Sequence, residues 1–311
     1  MVVHANVQIF SFLCLFLSMS MVGANIAVGK IILEDIPVFA FAAMRFLIAF
    51  IVLLPGMAEK RWRQGLSGAG WGAAWRGLFV QSFFGCFLFS IFMLYGVTQT
   101  SATSAGIITS ALPSIIILLA WIGLGERITP RGAVMVLLAM AGIATLNLQG
   151  VVAGGSNGVL GNALVMGAVL SEALFAVMSR HISLRVHPWG MAFAVNLFGL
   201  ILFVPLAIPQ VLALDWFMLD MTVWGWLFFY AITASVLSFL LWYQGISAVS
   251  ASVAGLFTGV IPLSAALVGA IFLGERLTLV QGLGMALVLM AIALGAWQER
   301  ITPAKASSRS S

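Results

Sequence analysis

Residues 96–129 read GVTQTSATSAGIITSALPSIIILLAWIGLGERIT, and residues 245–278 read GISAVSASVAGLFTGVIPLSAALVGAIFLGERLT. The two stretches align without a gap, so that Pro113 is matched by Pro262 and the two GER triplets coincide. Chance can supply one shared tripeptide, but it rarely supplies a whole segment with proline, glycine and GER in the same register. The chain therefore contains an internal repeat.

The composition places this repeat in a membrane. Hydrophobic residues make up 62% of the chain and charged residues 7%, whereas roughly a quarter of the residues of a soluble domain are charged. A soluble fold of 311 residues could not cover its surface with so few charges. The net charge of +5 comes from basic residues in short loops rather than from a basic stripe, so we expect no nucleic-acid partner.

Ten apolar runs each approach the ~20 residues that cross a bilayer core of about 30 Å. Short connections rich in Gly, Ser or Pro separate them, and the charges are concentrated there. We therefore predict an all-α polytopic membrane protein, with a first repeat over 1–150 and a second over 151–311 that ends in a short tail. The predicted spans are 7–29, 38–57, 77–95, 102–123, 131–149, 158–180, 188–209, 222–244, 250–273 and 279–298.

Each repeat holds five spans, so two consecutive copies must enter the membrane from opposite sides. The charge bias gives the same result, because cytoplasmic loops carry an excess of Lys and Arg. With the N-terminus inside, only Lys30 and Arg276 fall outside. The inner side then holds Lys60, Arg61, Arg63, Arg76, Arg127, Arg131, Arg180, Arg185, Arg300, Lys305 and Arg309. We predict two inverted five-helix repeats with both termini in the cytoplasm.

Several motifs resemble the EamA family of the drug/metabolite transporter superfamily. They are the GER triplet after the fourth span of each half, the proline inside that span, Arg45-Phe46 of MRFLIAF, and GANIAVGK near the start, where Val22 stands in place of a frequent Trp. The resemblance implies a ten-helix secondary transporter of the bacterial inner membrane, usually an exporter of amino acids or other metabolites. It also implies a central cavity between the first, third, fourth, sixth, eighth and ninth spans. The aromatic-rich spans suggest the YddG-like amino-acid exporter branch.

Two ionisable residues lie deep within the predicted spans, where charges are costly and are functional candidates. Arg45 lies about 10 Å below the outer boundary and Glu172 roughly 12 Å from the inner one. Their repeat partners, Asn196 and a residue near Val22, are uncharged. We hypothesise that Glu172 faces the cavity and binds a substrate amine or a coupling proton, with a structural role as an equal alternative. For Arg45 we favour a structural bond to backbone carbonyls at a helix end over contact with a carboxylate.

The GER residues Glu126, Arg127, Glu275 and Arg276 lie at span ends. Adjacent helical residues point about 100° apart, so each should pair elsewhere, for example by capping a neighbouring helix. Their recurrence on both faces favours an architectural role over contact with a substrate.

Pro113 and Pro262 each interrupt a span halfway, and a mid-helix proline removes a backbone hydrogen bond and kinks the helix. Thr109 and Thr258 stand one turn earlier on the same face. These pairs could provide hinges and a polar cavity lining. The alternative is a fixed kink that serves packing.

Other candidates for a cavity wall or gate are polar or aromatic residues inside apolar spans. Phe175 and Met178 share the sixth span with Glu172 at helical spacing, and any single member of the set could equally serve packing. The set is Asn25, Gln81, Phe175, Met178, Tyr230, Trp242 and Tyr243.

The sequence lacks a Walker A loop and lacks metal-ligand spacing among His, Cys, Asp and Glu. We therefore expect no cofactor, no metal and no enzymatic activity. The partners should be a small-molecule substrate and the lipid bilayer, with the chain a monomer or weak homodimer. The alternatives are an exporter of cationic drugs, a carrier of lipids or sugar nucleotides, and a membrane-embedded lipid-modifying enzyme.

Overall fold

A computed structural model describes residues 2–66, 71–100, 105, 108–147, 159–216, 218–272 and 278–301. These residues form helices joined by short turns and contain no strand, which confirms the predicted all-α class. The described helices are α1 (Val2–Asp35), α2 (Val38–Leu53), α3 (71–97), α4 (Leu112–Leu124), α5 (Pro130–Asn147), α6 (Val159–Ser183), α7 (Pro188–Ala213), α8 (Met221–Ile246), α9 (251–272) and α10 (Leu279–Ile301).

The length and surface of these helices suit a bilayer. Among the described residues, seven helices are long and apolar enough to span a membrane, and three shorter apolar helices are Val38–Leu53, Leu112–Leu124 and Pro130–Thr145. Large side chains such as Ile122 and Leu283 are about two-thirds exposed, which water would penalise and lipid does not. The chain is therefore an integral membrane protein, as predicted.

The main helix contacts are symmetric: each recurs when every helix is replaced by its partner in the other repeat. Helix α2 packs against its repeat partner α7, and α5 packs against its partner α10. The contact of α1 with α8 is matched by that of α6 with α3, and the contact of α1 with α9 by that of α6 with α4. Since each half has five helices, partner helices run in opposite directions and the axis lies in the membrane plane. The inverted five-helix repeats are confirmed.

The second span ends earlier than predicted, and the next begins earlier. Helix α2 stops at Leu53 because Pro55 has no N–H to donate to the preceding turn. Two short 3-10 helices, Pro55–Ala58 and Lys60–Arg63, follow, and α3 begins at Trp71 rather than at residue 77.

Helices α3 and α8 each contain a π-helical segment at equivalent repeat positions. These segments are Phe83–Leu88 and Ala231–Leu237. Each segment ends in a hydrogen bond between residues five apart. The N–H of Phe89 donates to Phe84 O, and the N–H of Ser238 donates to Thr233 O. Single π turns inside α-helices occur frequently at functional sites.

Helices α4 and α9 change geometry near their prolines. In α9 a 3-10 turn, Phe257–Gly259, precedes Pro262, which cannot donate to the Thr258 carbonyl. Helix α4 follows a turn residue, Ala111, and has Pro113 in its first turn. The predicted hinge role of these prolines stays a prediction.

We expect Gly23→Leu to lower the melting temperature of the detergent-solubilised protein by several degrees. A Cβ at Gly23 in α1 would overlap the Ser264 hydroxyl and the Ile261 carbonyl oxygen of α9, and overpacking of this kind typically costs about 1–3 kcal/mol. Gly282→Leu is the matched control, because this exposed helical glycine has no neighbour within 4 Å of an added Cβ. Equal melting temperatures for the two variants would contradict close α1–α9 packing.

Candidate functional site

The π segment of α8 is the meeting point of polar side chains from three helices. Arg45 of α2 donates from Nη1 to Ser235 Oγ at 2.9 Å, and Asn196 of α7 donates from Nδ2 to Ser235 O at 2.8 Å. Asn25 of α1 donates from Nδ2 to Thr233 Oγ1 at 2.9 Å. Arg45 belongs to the first half, and Asn196, its repeat partner by sequence, belongs to the second. Both halves therefore donate a hydrogen bond to Ser235 of α8.

Arg45 has a different partner from the one that the sequence favoured. It binds a side-chain hydroxyl in the middle of α8 rather than backbone carbonyls at a helix end. Its guanidinium carbon lies 4.0 Å from the centre of the Phe46 ring and 5.9 Å from that of Tyr230. Guanidinium has five N–H donors, and within the described residues no carboxylate lies at ion-pair distance from it. Donors therefore remain for an anionic group.

Glu172 of α6 is half-buried and has no hydrogen bond or ion pair among the residues that the structure describes. Its carboxylate lies within electrostatic range of the Cys86 thiol and the Tyr243 hydroxyl. Cys86, in the π segment of α3, is also within electrostatic range of Arg45. Cys86 is thus within electrostatic range of both a carboxylate and a guanidinium, and these two charges form no ion pair with each other among the described residues.

A second polar cluster joins α3, α6 and α8. Gln81 donates from Nε2 to Ser179 Oγ at 2.6 Å and to Tyr243 OH at 3.2 Å. The Ser179 hydroxyl in turn donates to the Phe175 carbonyl at 2.7 Å. All three hydrogen-bonded side chains are 0% exposed, and Gln81 Oε1 has no hydrogen-bond partner. We call Gln81, Ser179 and Tyr243 the polar triad.

Two charged side chains form hydrogen bonds with helix ends on the same side of the bundle as the polar triad. This side, on which α1 begins, is here called the N-terminal face, and the opposite side the far face. Arg180 of α6 donates to the carbonyl oxygens of residues 246–247 at the end of α8. Glu126, after α4, accepts bonds from the N–H groups of residues 251–252 at the start of α9. Each charge has the sign that the helix dipole favours at that end.

The two faces differ in packing. The last segment of α8, Ser238–Ile246, packs across α6 and α7, and it buries Trp242 and Tyr243. Its repeat partner in α3, Phe89–Val97, makes no contact of similar extent with α1 and α2 over the described residues. Met93 and Leu94, the partners of Trp242 and Tyr243, are only half-buried. Among the described residues, the last segment of α8 at the N-terminal face is therefore more tightly packed than its repeat partner at the far face.

Other predicted residues fall around these two clusters. Asn25 is buried, Tyr230 packs edge-on against Phe41 with ring centres 4.8 Å apart, and Trp242 Nε1 is buried without a hydrogen-bond partner. Phe175 is buried with its ring centre 6.3 Å from that of Tyr243. Met178, on the same helix, is half-buried.

The threonines of the repeat, Thr109 and Thr258, stand four residues before Pro113 and Pro262. Thr258 is buried and donates to the Gly255 carbonyl of its own helix at 2.7 Å, and Thr109 is half-buried. Arg127 is exposed at the N-terminal face. Glu275 and Arg276 lie outside the described residues.

The sequence analysis missed the residues that complete the clusters, namely Cys86, Ser179, Arg180, Asn196 and Ser235 as partners. One signal was available, because Cys86 and Ser235 are exact repeat equivalents at small polar positions within aromatic spans.

Comparisons with known proteins agree with this architecture. The model of the EamA-like transporter family matches residues 9–148 and again 159–296. The chain is 37% identical to the uncharacterized transporter YetK of Bacillus subtilis (strain 168) over 299 residues, which cover 92% of this chain and 86% of YetK. An uncharacterized transporter of Archaeoglobus fulgidus is 25% identical over 260 residues, covering 81% of this chain and 86% of that protein.

One protein of known crystal structure has a similar fold. The superposition has a TM-score of 0.73 with 18% sequence identity, and it covers 95% of this chain and 98% of that chain. At this identity the likeness concerns the fold alone.

Proposed function

The chain belongs to the EamA-like transporter family, and from this premise we propose that it exports a small zwitterionic metabolite, of the amino-acid class, by alternating access. It acts as a secondary transporter of the bacterial inner membrane without enzymatic activity. The observation that carries the proposal is that two opposite charges within the membrane spans, Glu172 and Arg45, are each within electrostatic range of Cys86 and form no ion pair among the described residues.

A zwitterion suits this pair for an electrostatic reason. Uncompensated charges inside a membrane protein are costly, and they are stabilised when an opposite charge binds. Glu172 would take the ammonium group of the substrate, and the free donors of Arg45 its carboxylate, in the bidentate geometry that guanidinium favours. The half-buried ring of Tyr230 near Arg45 offers a surface for a hydrophobic or aromatic side chain.

The proposal of alternating access is based on the difference in helix packing between the two faces. The N-terminal face is cytoplasmic by the positive-inside rule, so the described state is closed toward the cytoplasm by the polar triad and Arg180. Because the halves are inverted repeats, the opposite state arises when the two halves exchange conformations. In that state Phe89–Val97 packs across α1 and α2, and the polar triad separates.

Counterflow in proteoliposomes tests the proposed function. We expect vesicles preloaded with an unlabelled amino acid to accumulate the labelled one, in a panel weighted toward hydrophobic and aromatic side chains. Repeating the panel with and without a pH gradient distinguishes proton coupling from facilitated diffusion. Protein-free vesicles are the control. Absence of counterflow for every amino acid, together with specific uptake of a phosphorylated sugar, would overturn the substrate class.

Glu172 forms no hydrogen bond or ion pair among the described residues, and this also favours a second candidate function, the export of an organic cation. Arg45→Gln discriminates between the two, because a zwitterion needs both charges and a cation needs only the carboxylate. We expect Arg45→Gln to raise the KM for an amino acid by about tenfold, the usual scale for a lost charged hydrogen bond. Unchanged transport of an organic cation, with no amino-acid transport by the unmodified protein, would favour the drug exporter.

A further inference from the structure

Two loops from different halves of the chain are docked against each other at the N-terminal face. The N–H of His187, in the turn between α6 and α7, donates to Gln64 O at 3.1 Å in the turn between α2 and α3. Gly65 has a φ of +82°, and a Cβ there would overlap the carbonyl oxygen of Arg185. Only glycine permits this approach without strain. Here the docked-loop surface means residues 54–66 and 184–189.

Indole rings form an ordered platform on this surface. The rings of Trp62 and Trp189 stack with centres 4.2 Å apart and an interplanar angle of 18°. Trp189 Nε1 donates to Leu53 O at 3.0 Å, which ties the platform to the end of α2. Tryptophans of this kind lie at the headgroup level of a bilayer, with an apolar ring and a polar edge.

The platform is surrounded by basic side chains without acidic partners. Lys60, Arg61 and Arg185 are exposed, and the guanidinium carbon of Arg61 lies 5.1 Å from the centre of the Trp62 ring. No ion pair neutralises these three within the described residues, and Glu59 is the one acidic residue of the docked-loop surface. Burial, and to a smaller extent the nearby Arg61 charge, lowers the pKa of His187.

We propose that the docked-loop surface is a binding site for the headgroup of an anionic phospholipid. Arg61 and Arg185 bind the phosphate, and Trp62 packs beside the glycerol region where the helices leave the hydrocarbon core. Guanidinium groups match phosphate oxygens in two-point geometry, and juxtamembrane basic clusters attract anionic lipid. The two loops belong to different repeats, so a bound lipid bridges the halves.

The surface differs from the general positive charge of this face. Arg127, in the turn between α4 and α5, and Arg131, at the start of α5, are also exposed at the N-terminal face. That turn, 125–129, contains no tryptophan. It binds the start of α9 through the Glu126 side chain, and among the described residues it forms no backbone hydrogen bond to a loop of the other half. These two arginines therefore provide a matched control with the same charge on the same face.

Native mass spectrometry tests this proposal without any transport assay. The full chain is transferred from micelles that contain equal amounts of phosphatidylglycerol and phosphatidylcholine, and retained lipids are counted. We expect the unmodified protein to retain phosphatidylglycerol preferentially, and the R61Q/R185Q variant to reduce that preference by about tenfold. The R127Q/R131Q variant should keep it. Melting temperatures in lipid-free micelles check that both variants fold.

Three outcomes would overturn the proposal. The first is equal retention of both lipids by the unmodified protein. The second is equal loss of preference in both double variants, which would assign it to the charge of the whole face. The third is full competition by soluble glycerol phosphate at millimolar concentration, which would make a free phosphate compound the ligand. Loss of amino-acid counterflow in the unmodified protein would leave this proposal intact, because the assay measures binding alone.

Discussion

Glu172→Gln is expected to reduce the initial rate of counterflow by at least about tenfold, because a substrate ammonium would lose a charged hydrogen bond in a site of low dielectric. Glutamine keeps the size of the side chain and one acceptor oxygen, so the packing of α6 should persist. The measurement is the initial uptake rate in proteoliposomes at several substrate concentrations, which separates kcat from KM.

Glu34→Gln is the matched control for this experiment. It removes the same charge with the same change of chemistry, but Glu34 is exposed at the end of α1. We expect its uptake rate to equal that of the unmodified protein. If Glu172→Gln kept full activity with unchanged KM, the carboxylate would have no role in binding, and the zwitterion proposal would fail.

Removing the closure at the N-terminal face should have the second large effect. The variant Gln81→Ala with Arg180→Gln eliminates the bonds from Gln81 to Ser179 and Tyr243 and the charged bonds of Arg180 to the end of α8. A buried hydrogen bond contributes about 1 kcal/mol and a charged one about 1.5–3. Their loss should shift the population toward the state open at this face by tenfold or more, since about 1.4 kcal/mol corresponds to a factor of ten.

Cys86 is a native reporter for this shift. Its thiol is buried in the central region, and Cys14, the other cysteine, is replaced by alanine to leave one thiol. A membrane-impermeant maleimide applied at the N-terminal face should label Cys86 about tenfold faster in the double variant, following the population shift. Arg131→Gln is the control for loss of charge at that face. Unchanged labelling, or faster labelling from the far face only, would refute the closure.

The central site shows where sequence reasoning reaches its limit. Glu172 and Arg45 could be found because a charge inside an apolar span is visible in the sequence. Their neighbours Ser235 and Cys86 could not, because these residues come from other helices and their side chains are ordinary for membrane spans. The sequence favoured backbone carbonyls as partners of Arg45, and the structure gives it the Ser235 hydroxyl instead. The packing of α2 against the π segment of α8 brings these two side chains together.

For the GER motif too, the sequence indicated a role and the structure identified the binding partner. Its recurrence indicated an architectural role for Glu126, and the structure identifies the start of α9 as the group that it binds. The stretch between α2 and α3 shows the same dependence on packing. Its two 3-10 helices form part of the docked-loop surface, which depends on Trp189 and Arg185 far along the chain.

The sequence by itself determined the ten helices, the duplication and the inverted arrangement of the halves. These depend on the length of apolar runs, on self-similarity and on an odd number of spans, which are properties of the chain read in one dimension. The three-dimensional packing was needed to find which of two equivalent segments is more tightly packed in the described residues, where the π segments fall and which side chain binds Arg45. Two related halves encode nearly the same contacts on both faces, so the choice between them depends on the competition between alternative packings.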